Sequence, residues 1–293
     1  MTYRLKTIAL RAYRSYNIRV PTPFYHLDIA ENLLANPALA NPVQQFLWGQ
    51  RSAFLLGNTA PDVQVVSRQE RQATHFFSLP VRTDAQPPWE RLLRTHPSLA
   101  QPARIPGAQA AFIAGYLCHL QADWLWIVDI FAPVFGPDCR WETFSQRLYL
   151  HNVLRAYLDQ QVTTALAADT ADCLKGIRPD HWLPFVQDVH LSTWRDYLAG
   201  QLEPGAAAET VEVFASRQGL SPREFYQLIE SEERMEQEVF VHLPRSQLET
   251  YHQRLIESNL ELLQAYFGPQ NKPKYIPVTG LPAQSGSFDH QTI

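Results

Sequence analysis

The sequence predicts an all-α fold in a single domain, and three observations carry that prediction. Apolar residues recur at helical spacing through most of residues 22–267. No stretch alternates apolar and polar residues as a half-buried strand would. Helix-start signals punctuate the chain: proline in a first turn, and Ser-x-x-Glu capping boxes. Hydrophobic residues make up 45% of 293 and charged residues 18%, which is ample for one sizeable core. Residues 1–21 read as an extension, and residues 268–293 as a polar tail without core-forming period, expected to be disordered.

Pro21-Thr22-Pro23 opens the first helix, with Thr22 as its cap. In Phe24 to Ala35 the stripe is Leu27, Ile29, Ala30, Leu33 and Leu34; His26 falls on it and Asp28 points away. Pro42 to Leu56 reads as a second helix, ended by Gly57 at the left-handed C′ position. A short loop, Asn58-Thr59-Ala60-Pro61-Asp62, then leads into an amphipathic Val63 to Ala73 and to Thr74-His75-Phe76-Phe77. Residues 80–108 are proline-rich, with one short helix near Trp89 to Leu93. Ala110 to Phe131 is the most apolar run, stopped at Pro133.

Trp141 to Ala168 continues helical, with His151, Asn152 and Arg155 as a polar patch on a mainly apolar element. His181 to Ala199 and Ala206 to Gln218 follow. The box Ser221-Pro222-Arg223-Glu224 starts a helix to about Val241, whose glutamates form a solvated face. Ser246-Gln247-Leu248-Glu249 starts the last helix, with Leu255, Leu262, Leu263 and Tyr266 inward.

The totals exclude several functions. A net charge of −4 offers no basic footprint for nucleic acid. Three scattered cysteines form no disulfide framework and fit a reducing compartment. The basic first twenty residues lack the apolar core of a signal peptide, so a cytoplasmic location is expected. His119, Gln121 and Asp123 interrupt the apolar run, so no transmembrane span is expected.

His119 and Asp123 set the chemical question. Residues four apart share a helix face, and an aspartate on a helix apolar nearly all round needs a partner or a metal. His26, Asp62 and His75 are further polar residues in apolar settings. Each alone has an ordinary reading: a satisfied core histidine, or a turn residue. Together they are a set of imidazole and carboxylate donors of the kind zinc accepts. Asp62, His75, His119 and Asp123 suit one ion. His26 starts a second site, with Asp123 bridging; ions paired about 3.5–4 Å apart are a common device for phosphoester hydrolysis.

Through TPFYHLDIAENLL, FLLGNTAPD, ATHFF and AGYLCHLQAD, roughly residues 22–130, the sequence resembles the zinc-dependent phospholipase C family. The catalytic part of glycosylphosphatidylinositol-specific phospholipase D is related to the same family. The resemblance implies a helical bundle of the phospholipase C and P1 nuclease type. It also implies Asp62, His75, His119 and Asp123 as ligands of one zinc, and His26 as ligand of another bridged by Asp123. Secreted family members use their N-terminal amine as a ligand, whereas about 25 residues precede His26 here. Where those members carry a later His-x-x-x-Glu pair, this chain has His151 and Arg155. One or two zinc ions are therefore expected rather than three, with His151 or an unassigned carboxylate closing the second site.

The expected activity is hydrolysis of a phosphodiester, phospholipid included, by metal-activated water. Asp62 would orient that water, and Asn152 and Arg155 would hold the phosphate. The rival reading is a non-catalytic metal-stabilised scaffold or lipid-headgroup binder. A nucleotide phosphohydrolase of the adjacent His-Asp kind is disfavoured, because the chain contains no His-Asp dipeptide.

Overall fold

The structure, a computed structural model, describes residues 21–78 and 86–268. Nearly all of the expected N-terminal extension and polar tail, and residues 80–85 of the proline-rich connection, lie outside the described residues. Among the described residues every regular element is helical.

In chain order the helices are α1 (Pro23–Ala35), α2 (Asn41–Gly49), α3 (Arg51–Thr59), α4 (Gln64–Ser67) and α5 (Arg71–His75). They continue with α6 (Pro88–Thr95), α7 (Gly107–Leu125), α8 (Phe144–Thr163), α9 (Thr170–Gly176) and α10 (Asp188–Gln201). The last are α11 (Thr210–Gln218), α12 (Pro222–Ile229), α13 (Glu232–Arg234) and α14 (Arg245–Phe267).

The apolar run becomes the axis of the fold. Every residue of α7 from Ala110 onward is buried, because its sequence offers no polar face to turn outward. Helices α3, α14, α6 and α1 pack around it. By length and composition alone, Gly107–Phe135 could cross a membrane, but its most apolar window is wholly covered by the rest of the chain.

The tightest contact is between α7 and α3, and two glycines make it. A Cβ on Gly57 would lie 2.0 Å from the Phe112 carbonyl oxygen, and one on Gly115 would lie 2.3 Å from that of Phe54. Gly57 therefore does not end its helix, as the sequence suggested; α3 runs on to Thr59. Its missing side chain serves close approach to α7 rather than a left-handed cap.

Other expectations shift for local reasons. The second predicted helix divides into α2 and α3 at Gln50. The amphipathic Val63–Ala73 breaks at Arg68, which sits at φ 60°. Pro133 does not stop the central helix, which continues as a π-helix over Trp126–Phe135. The wider turn displaces the carbonyl that a proline ring would strike in an α-helix. The helix expected from Trp141 starts at Phe144, and the one expected from His181 starts at Asp188. The Ser221 capping box forms as predicted, but its helix ends at Ile229, and a turn capped by Ser231 and a second π segment follow. Ser246 does not cap the last helix, which begins at Arg245 behind Pro244.

Thr22 does not cap α1 either. Its hydroxyl donates to Asp159 on α8, whose other carboxylate oxygen accepts from Thr210 at the start of α11. Burial raises the Asp159 carboxyl to about 6, against the lowering effect of the two hydroxyls. A carboxyl raised in the fold favours folding below its unfolded value, near 3.9, and that contribution disappears as pH climbs through 6.

Two outcomes follow from this packing. Gly115→Ala is expected to destabilise the fold by about 1–3 kcal/mol in denaturant melts, because backbone must move to admit the methyl. Asp159→Asn is expected to gain about 2–3 kcal/mol relative to wild type between pH 4 and 7. A constant difference in stability across that range would disprove the assignment.

Candidate metal centre

Five side chains meet beside the α3–α7 crossing. His26 comes from the middle of α1, and Asp62 from the 3₁₀ turn Ala60–Val63 that follows α3. His75 ends α5, and His119 and Asp123 stand one turn apart on α7. All are buried; Asp62, at 6% exposure, is the one that reaches solvent.

Asp123 is the hub. Its Oδ1 lies 3.3 Å from His26 Nε2. Its Oδ2 lies 3.4 Å from His75 Nε2 and 3.6 Å from His119 Nε2. Asp62 Oδ1 stands 3.5 Å from His75 Nε2. The rings of His26 and His119 stack with centroids 3.7 Å apart.

The far sides of two rings are anchored. His119 Nδ1 donates to the Asn58 carbonyl at 2.7 Å. His75 Nδ1 meets the Thr74 hydroxyl at 2.9 Å, and that hydroxyl donates to the Arg71 carbonyl. These partners place the hydrogens on Nδ1 and aim both Nε2 lone pairs inward, as metal-ligating histidines require. Tyr116 on α7 donates to the Thr74 carbonyl at 2.5 Å, and Trp194 on α10 to the Thr59 carbonyl at 2.9 Å. The two short segments carrying His75 and Asp62 are thus tied to long helices. Phe76 sits at φ 60°, a sterically costly conformation for a bulky residue that ends the turn just after His75.

The donors fit a divalent ion on an observation of their own. His26 Nε2, His75 Nε2, His119 Nε2 and Asp123 Oδ1 are buried and lack hydrogen-bond partners. Such atoms cost free energy unless something coordinates them. They fall into two groups of mutually close donors, His26–His119–Asp123 and Asp62–His75–His119.

Protonation suits ligation as well. Burial holds His26 and His75 near 4, with the His119 charge adding to this at His26 and Arg71 at His75. Burial opposes charge on Asp62 and Asp123 too, but their histidine neighbours keep both well below the usual carboxylate range. His119 moves the other way: burial disfavours its charge, yet the Asp123 carboxylate raises it. Of the five groups it is the one that would have to release a proton to coordinate an ion.

One member of the cluster was missed in the sequence. Arg71 Nη2 binds Asp123 Oδ2 at 2.6 Å, and its guanidinium lies 4.7 Å over the Phe77 ring. Arg71 stands one turn before His75, so helical spacing was the signal available for it.

The remaining expected residues separate. His151 does not join the cluster: its Nε2 accepts from Trp126 at 2.9 Å, among the rings of Phe131 and Phe135. The π segment turns Trp126 toward it, which the sequence did not reveal. Asn152 accepts from Arg155 at 3.0 Å and does not line the cleft. Arg155 stacks on Phe214 at 4.5 Å and does line it, with Asp62, in a cavity of about 70 Å³.

Compared with known proteins, the chain matches no family model, no curated protein and no solved structure. The fold and the cluster therefore define its class: an all-α protein with a buried three-histidine, two-aspartate donor centre.

Titrated with zinc, this centre is expected to bind more tightly as pH rises. Below the pKa of His119 the gain approaches about tenfold per pH unit, one proton being displaced per ion. Calorimetry in buffers of different ionisation enthalpy counts that proton; affinity independent of pH would contradict the assignment.

Proposed function

We propose that the chain is a metal-dependent phosphoester hydrolase of phospholipase C type, with zinc as its ion. The observation that supports this reading is that the donor cluster meets a cleft through Asp62, and Arg155 lines the same cleft. Asp62, His75 and His119 would hold a divalent ion there, and its chemistry would be to lower the pKa of bound water and polarise a phosphoryl oxygen.

The chain's own groups supply the rest. Asp62 is ionised and faces the cleft, so its carboxylate accepts a hydrogen bond from the attacking water and orients it. Arg155 meets the phosphate as a fork of donors, and Phe214 beneath it keeps the guanidinium plane in place. Phe24, Val65, Trp194, Leu198 and Phe214 give the cleft apolar walls, which suit a phosphoester carrying an apolar group, phospholipid included. His151 acts here as a core histidine rather than a ligand.

The test is hydrolysis of an activated phosphodiester and of phospholipid by the zinc-loaded protein. Asp62→Asn is expected to lower kcat by about 10²–10⁴-fold. Arg155→Ala is expected to raise KM with the fold intact. Bound zinc without turnover of either substrate would favour the non-catalytic scaffold or headgroup binder instead.

A further inference from the structure

The two donor groups of the centre share a residue. Both use His119, and they can use only its Nε2, because Nδ1 donates to the Asn58 carbonyl. One nitrogen lone pair holds one ion. Once an ion takes His119 with Asp62 and His75, the other group is left with His26 and Asp123 alone. Two protein donors are fewer than the three or four that zinc sites in proteins employ.

A fixed cation already stands on that side. Arg71 lies at 2.6 Å from Asp123 Oδ2, on the carboxylate that would have to bridge two ions. Its guanidinium cannot lose its charge, and its placement over Phe77 holds it there. Charge counting points the same way. Asp62 and Asp123 contribute −2, Arg71 +1 and one divalent ion +2, for a total of +1 with neutral histidines. A second ion would bring the total to +3 around three fully buried histidines and the fully buried Asp123, where like charges are screened weakly.

We propose that the centre takes a single divalent ion and that Arg71 is its built-in second cation, neutralising Asp123 where a second metal would otherwise stand. This rests on the metal-binding reading above. Arg71 is then a residue that sets the number and affinity of ions, acting through Asp123.

The experiment is calorimetric titration of the full chain with zinc, at one pH, for wild type, Arg71→Gln and Arg71→Lys, with thermal melts to verify folding. The wild type is expected to take one ion per chain. Arg71→Gln is expected to bind its first ion about tenfold or more tightly, because a neighbouring positive charge has gone. Arg71→Lys, which keeps the charge, should stay within about threefold of wild type. Two ions in the wild type would overturn the proposal, and that measurement needs no variant. A folded Arg71→Gln that binds no more tightly than wild type would overturn it too, while leaving the metal centre standing. Absence of zinc binding in the wild type would remove the metal centre itself and this proposal with it.

Discussion

The Asp123 carboxylate is fully buried, and the structure around it is organised to keep it charged. An ionised carboxylate in a protein interior costs several kcal/mol unless donors surround it. Here Arg71 donates to one of its oxygens, and the Nε2 atoms of His26, His75 and His119 stand 3.3–3.6 Å from the two, so that three separate segments converge on it. His119, His75 and Arg71 are in turn fixed from behind, by a backbone carbonyl, a hydroxyl and an aromatic face respectively. The requirement to satisfy one acid therefore ties α1, α5 and α7 into a single unit.

The α3–α7 crossing makes that unit geometrically possible. With Gly57 and Gly115 at the contact, backbones touch where side chains would normally separate them. The Asn58 carbonyl comes within reach of His119 for this reason, and the chain leaving α3 delivers Asp62 to the same spot. Tight packing at the core and the arrangement of donors are consequently one feature. A change that spreads the helices also moves the donor groups.

Around this rigid centre the chain arranges a more open region. The cleft reaches Asp62 between the start of α1 and helices α8, α10 and α11. Its walls are mostly apolar, and Arg155 supplies a cation at a distance from the buried cluster. Asp159, with Thr22 and Thr210, ties the start of α1 to α11 along the same wall. The cleft thus rests on a titratable contact, while the donor cluster rests on close-packed backbone.

Much of this was legible from residue types and spacing. Periodicity alone determined the all-α class, because a stripe every 3.6 residues can be buried only by a helix. Polar residues inside apolar runs identified His26, Asp62, His75, His119 and Asp123, since burying such groups has a physical cost that must be met. Three matters were decided only by the tertiary structure. Gly57 reads equally well as a cap or as a close contact until a second helix is placed against it. His151 and Arg155 look alike as polar residues on one helix. Which faces aromatic rings and which faces a cleft depends on the π segment and on α11. Arg71 is an ordinary surface-type residue in sequence; only the fold brings its charge onto Asp123. Local pattern determines what must be buried, whereas the partner that compensates for burial is set by long-range packing.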